Sequence, residues 1–202
     1  MRKQKIPPAG ILLLLLTSFS QGIVAQQWSS EQLKSANTTA AISYLSQVEK
    51  EAILYINLAR LYPQQFRKIE IEGYYGPEKY GDYLKESDYL KSLIHQLDTM
   101  KAVGVLVFAE ALYENAKCFA AESGDAGIVG HTRIKCPKGN YAECCSYGME
   151  TGKDIALQWL IDHDVPSLGH RVNCLNPSYT KIGLSVHTHK QYGMCAVADL
   201  IW

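Results

Sequence analysis

The sequence predicts an α+β domain, and three observations carry that prediction. Apolar residues recur at helical spacing through most of the chain, clean alternation appears only near the C-terminus, and no strand-helix-strand repetition links the two. A doubly wound sheet is therefore not expected. At 47% hydrophobic and 20% charged, the 202 residues have the composition of a chain that buries a core, not of one that stays disordered.

The elements follow in order. Arg2, Lys3 and Lys5 precede the apolar run Ile11 to Leu16, no acid occurs in the first 25 residues, and small Ala25 suits a cleavage site; residues 1–25 read as a secretory signal peptide. The run is interrupted by Thr17, Ser18 and Ser20 and falls short of the ~20 apolar residues of a spanning helix, so no membrane span is expected. Its removal takes three basic residues from a balance of 20 against 20 and leaves 177 residues at a formal charge of −3, enough for one domain of a secreted or periplasmic protein. Residues 26–46, with Ser29, Ser30, Ser35, Asn37, Thr38 and Thr39, read as a polar leader onto a single domain over 47–202 rather than as a packed element.

Val48, Ala52, Tyr55, Ile56 and Ala59 form one helical stripe and Leu54, Leu58 and Leu61 a second, so this helix is buried on more than one face until Pro63 stops it. Asn57 and Arg60 share a face, placed to bond to each other or to neighbouring backbone. From Arg67 to Glu86 no period is sustained; this is a long loop whose tyrosines, among them Tyr74, Tyr75, Tyr80 and Tyr83, either wall a site for a sugar or apolar ligand or cap the core. Ser87 or Asp88 caps a helix bearing Leu90, Leu93, Ile94 and Leu97. A further helix runs from about Glu110 to Glu122, ended by Gly124, and Asp154 caps another on which Asp162 shares the face of Trp159. Ile182, Leu184 and Val186 then alternate with Gly183, Ser185 and His187 and, with Tyr192 to Trp202, form a C-terminal β-hairpin.

All six cysteines lie beyond the signal, and an even count in an exported chain reads as disulfide staples, with 15 possible connectivities. No Cys-x-x-Cys pair suggests a thiolate metal site, and staples leave no free thiol for a Cys/His nucleophile. A slightly acidic chain with scattered lysines argues against nucleic acid as a partner. His187 and His189 share a strand face beside a turn and read as a solvated edge.

Two Gly-His pairs remain, Gly130-His131-Thr132-Arg133 and Gly169-His170-Arg171-Val172-Asn173. Taken with the helix Leu54 to Arg60, Tyr141-Ala142-Glu143, Trp159 and Ile182-Gly183-Leu184, they make the chain resemble, from about Val48 onward, the CAP superfamily of cysteine-rich secretory proteins, insect venom antigens and plant pathogenesis-related proteins, here in its bacterial form. The resemblance implies a three-layer α-β-α sandwich (the SCP domain) with a cleft where two histidines and one or two acids meet and in some members hold a divalent metal, often zinc. His131 matches the first histidine, Glu143 the acid of a Gly-Glu-Asn motif, and His170 the later histidine. Asp162 stands where many members have a second glutamate and is one methylene shorter. Ala142 and Cys144 replace the residues flanking the first acid.

On this basis His131, Glu143 and His170 are the candidate metal ligands; imidazole and carboxylate suit zinc, and fewer than four protein ligands leave a position for water. Glu143 and Asp162 are the candidate catalytic bases should that water attack a peptide or ester. The sequence holds no His-Glu-x-x-His helix and no Gly-x-Ser-x-Gly elbow. The expectation is therefore an extracellular binding or interaction module whose partner is a small apolar or lipid ligand, a glycan or another protein, with a metal-dependent hydrolase as the alternative.

Overall fold

The computed structural model describes Met1 and residues 27–202, so the signal-peptide reading lies outside the described residues. Seven helices surround a four-stranded sheet: α1 Ser30–Ala36, α2 Gln47–Leu61, α3 Pro63–Phe66, α4 Asp88–Thr99, β1 Val107–Phe108, α5 Glu110–Ala126, β2 Ala142–Tyr147, α6 Gly152–Ile161, α7 Gly169–Leu175, β3 Lys181–His189 and β4 Gly193–Ile201. The strand order is β1-β3-β4-β2, with β1 parallel to β3 and the other pairs antiparallel. The α+β class and the C-terminal hairpin are as the periodicities predict.

Alternation along the sheet divides the core. Cys144, Ala196, Ala198 and Leu200 belong to the large apolar cluster with α2, α4 and α6, whereas Cys145 and Val197 pack with Ala116, Phe119 and Ala120 of α5. The molecule is thus three layers deep, with α5 alone on one face. β3 and β4 are consequently buried on both faces, and Gly183 and Ser185, whose small size looks like a solvent side in sequence, are where α5 presses closest. A Cβ at Gly183 would lie 2.0 Å from the Tyr113 amide nitrogen, and one at Gly124 would lie 2.0 Å from the Thr188 carbonyl oxygen. Gly124 therefore serves helix-strand contact; α5 continues past it and ends at Gly127, whose φ of +69° is the left-handed conformation that glycine adopts without strain.

The stretch read as a polar leader is packed. Ser29 and Gln32 form a capping box on α1, Ala36 and Thr39 are fully buried, and the Trp28 indole donates to Glu70 at 2.6 Å. Composition hides this because the polar side chains of 29–39 serve caps and turns while a few small residues do the burying. α2 likewise opens on a capping box, Ser46 and Glu49, and Glu49 also accepts from the Val186 amide, fixing the helix to β3. Asn57 and Arg60 bond to backbone, not to each other. Asn57 exchanges bonds with both the carbonyl and the amide of Leu106; Arg60 donates to the carbonyls of Gly104, Cys174, Asn176 and Tyr179. Burial lowers the Arg60 pKa from its ordinary value.

Two further expectations are corrected. The six cysteines do not all act as staples: Cys118 and Cys136 are bonded, tying α5 to the following loop, while Cys144, Cys145, Cys174 and Cys195 are free and buried. The position of His189 is not a solvated edge. It is buried, its Nε2 bonds to the Ile128 carbonyl at 3.0 Å, and its Nδ1 accepts from the amides of Gln191 and Tyr192. The loop after α5 thus covers the His189 ring, while the turn residues Lys190 to Gly193 stay exposed.

Candidate functional site

The site wraps around the edge strand β2. On one side lies the loop after α5, which brings Gly130, His131 and Arg133; on the other lie the end of α6, the connection beyond it, and the start of α7. Between them is a cavity of about 260 Å³ lined by His131, Cys145, Tyr147, Trp159, Asp162 and His170 among others.

Glu143, Cys145 and Tyr147 share one face of β2 by the two-residue period of a strand. Glu143 Oε1 is 2.9 Å from His131 Nδ1, and its other oxygen accepts from Arg133 Nη2 in a short ion pair; the carboxylate is only 7% exposed and His131 is 50% exposed. Across the cavity His170 Nδ1 lies 2.7 Å from Asp162 Oδ1, while Asp162 Oδ2 accepts from the amides of His170 and Arg171 at 2.9 and 3.2 Å. Asp162 is 1% exposed. The two imidazole centroids stand 6.4 Å apart with their planes 34° from parallel. Each ring thus has one nitrogen held by a carboxylate and one left over.

The backbone bends hard to arrange this. Asp162, Asp164 and Leu168, none of them glycine, have φ of 56°, 59° and 51°, all within the short link between α6 and α7. Left-handed non-glycine residues are costly and gather where the surroundings over-determine them. Here the left-handed turn at the end of α6 carries the Asp162 side chain back onto the first turn of α7. Arg171 locks the same corner from beneath, donating to the carbonyls of Leu160, Ile161 and Tyr89.

The expected residues therefore fall into two halves. His131 and Glu143 form one and Asp162 and His170 the other, facing across one cavity. A closer donor group also exists: single ligand atoms of His131, Glu143 and Cys145 all lie within 4.8 Å of one another, so a His/Glu/Cys set that could hold a metal ion is present without His170. Cys145 Sγ is 3.6 Å from His131 Nδ1 and 3.4 Å from the Gly130 carbonyl oxygen. Burial first, then the Glu143 charge, pushes this thiol well above its ordinary pKa.

Sequence reasoning missed three residues here. Arg133 follows the Gly-His-Thr run and stacks on Phe119, its guanidinium 4.3 Å from the ring centroid. Asp199, directly opposite Glu143 in the β2-β4 register, is wholly buried, and its carboxyl is pushed up to about 8, chiefly by desolvation and next by the Glu143 charge, against the pull of Arg133. A lone acid in the apolar strand Cys195 to Ile201 was the available signal for it. Cys145 was set aside because staples were expected. The Tyr-rich loop lies beside the cleft: Tyr74 and Tyr83 line a neighbouring cavity of about 140 Å³ that shares Gln158 and His163 with the main one, and the Tyr74 hydroxyl donates to Asp154 at 2.8 Å.

A three-layer sandwich with two histidine-carboxylate pairs facing across an edge-strand cavity defines a class of cleft-bearing α+β domains, and comparison with known families gives the class its name. Residues 105–200 match the family model described as "CAP: Cysteine-rich secretory protein family", and over that segment the chain is similar to that family. The matched segment runs from just before β1 into β4 and contains both halves of the site. No curated protein matches the chain. Among the described residues no helix is long and apolar enough to cross a membrane.

Proposed function

We propose that this CAP-domain protein is exported and acts as an extracellular binding module, with a divalent metal, zinc by donor chemistry, held between His131 and His170 at the cavity. One observation carries the reading: both imidazoles have Nδ1 paired with a carboxylate, Glu143 for His131 and Asp162 for His170, which is the arrangement that fixes a ring and raises the basicity of its other nitrogen for a metal. The residues present therefore fit the group. A bound zinc would supply a Lewis acid and an open coordination position for a ligand's oxygen or nitrogen. Glu143 and Asp162 orient the rings, Tyr147 and Trp159 give the cavity apolar walls, and Arg133 holds the charge of Glu143.

Binding is favoured over hydrolysis because neither acid is an idle base. Glu143 already serves His131 and Arg133, and both oxygens of Asp162 are taken by three donors. The test is calorimetric titration of metal-stripped protein with zinc. His131→Ala and His170→Ala should each weaken binding tenfold or more, with Cys145→Ser close to wild type. Loss in Cys145→Ser with His170→Ala unaffected would move the metal to the inner His/Glu/Cys set, and equal binding by all three variants would remove it from the cavity altogether.

A further inference from the structure

Four cysteines stay outside the one disulfide, and two of them are placed to form another. Cys144 lies on β2 with its side chain on the core side, opposite to Cys145, and Cys174 lies near the end of α7; neither exposes any surface, and both belong to the same apolar cluster. Cys144 Sγ is 3.8 Å from the carbonyl oxygen of His170 and 3.8 Å from Nδ2 of Asn173. That carbonyl is the one a helical turn offers to the amide of Cys174 four residues on, and Asn173 is the chain neighbour of Cys174. The Cys144 sulfur therefore rests on the turn of α7 that carries Cys174. Cys145 points to the other face, toward Gly130 and His131, and Cys195 rests on the Ala120 carbonyl of α5.

We propose that Cys144 and Cys174 are joined in a second disulfide in the oxidised protein. The oxidant is a small-molecule disulfide of the glutathione type. One cysteine, as thiolate, attacks it and releases one reduced thiol; the other then attacks the mixed disulfide and releases the second, so two electrons and two protons pass to the small-molecule disulfide as the protein S–S bond forms. Both sulfurs are wholly buried in the folded chain and out of reach of the oxidant, so exchange takes place before α7 docks on β2. The bond would clasp the strand that carries Glu143 to the helix that begins with His170, linking the two halves of the cavity covalently. It is independent of whether the cavity holds a metal.

The experiment uses the full chain refolded in a mixture of oxidised and reduced glutathione, alkylated in denaturant, and digested with trypsin without reduction. Cleavage at Lys138, Lys153, Arg171 and Lys181 places Cys144 and Cys145 in peptide 139–153 and Cys174 alone in 172–181. Mass spectrometry should find these two peptides linked, the link lost on reduction, retained in Cys145→Ser and absent in Cys144→Ser. Recovery of 172–181 with Cys174 alkylated, or a link that survives in Cys144→Ser, overturns the proposal.

Discussion

Asp162 shows how one side chain can set a site without facing a ligand. It accepts from the His170 ring, the His170 amide and the Arg171 amide, and it does so from a left-handed backbone that a carboxylate-bearing residue adopts more readily than a branched one. Asp162→Ala leaves those donors without an acceptor in a nearly closed corner, which should lower unfolding free energy by about 1–3 kcal/mol. Urea unfolding measures it, and an unchanged midpoint would mean that solvent replaces the carboxylate there. The resemblance to the family implied one cleft for His131, Glu143, Asp162 and His170, without saying which acid meets which histidine. The partition into two halves was not legible in sequence, because it depends on which nitrogen of each ring is occupied. Nor was Cys145, since the chemistry of a thiol next to a histidine is visible only once its disulfide partner is known to be absent.

At the scale of elements, helix-sheet distance decides more than helix propensity does. The Gly183 contact with Tyr113 lets α5 lie directly on β3, and this approach also sets where the loop after α5, and hence His131, meets β2. Gly183→Ala requires α5 to move or the strand to shift, and a cost of roughly 1–3 kcal/mol is expected from overpacking. A midpoint within error of wild type in chemical unfolding would show that α5 adjusts freely. The long helices and the hairpin were legible because each keeps one period for many residues. The short elements were not: β1 has two residues, α7 has seven with a buried Arg171, and β2 carries Glu143, Cys144 and Cys145, whose two faces are both covered, so its alternation leaves no apolar-polar signature. The cap of α6 moved as well, from Asp154 to Thr151, whose hydroxyl accepts from the Asp154 amide.

Over the whole molecule, the buried charges of the site link stability to pH. Arg133 carries one positive charge into a region with two carboxyls, Glu143 and Asp199, set opposite each other on neighbouring strands. It pairs closely with Glu143, and no donor within bonding reach serves either oxygen of Asp199. A retained proton on Asp199 relieves both problems, since it cancels the like-charge repulsion and supplies a donor toward Glu143. The Asp199 carboxyl, raised from 3.8 to about 8, therefore keeps its proton in the folded chain while the unfolded chain loses it. Below pH ~4 both states are protonated and this group is neutral to stability. Between ~4 and ~8 the folded state binds the extra proton, so stability falls as pH rises, by at most about 1.4 kcal/mol per pH unit, and above ~8 the loss is complete. Asp199→Asn keeps a donor toward Glu143 without a titrating proton, so its stability relative to wild type should improve steadily from pH 5 to pH 8. Urea midpoints of the two proteins that stay parallel across this range would show that Asp199 is ionised in the fold and that Arg133 neutralises both acids.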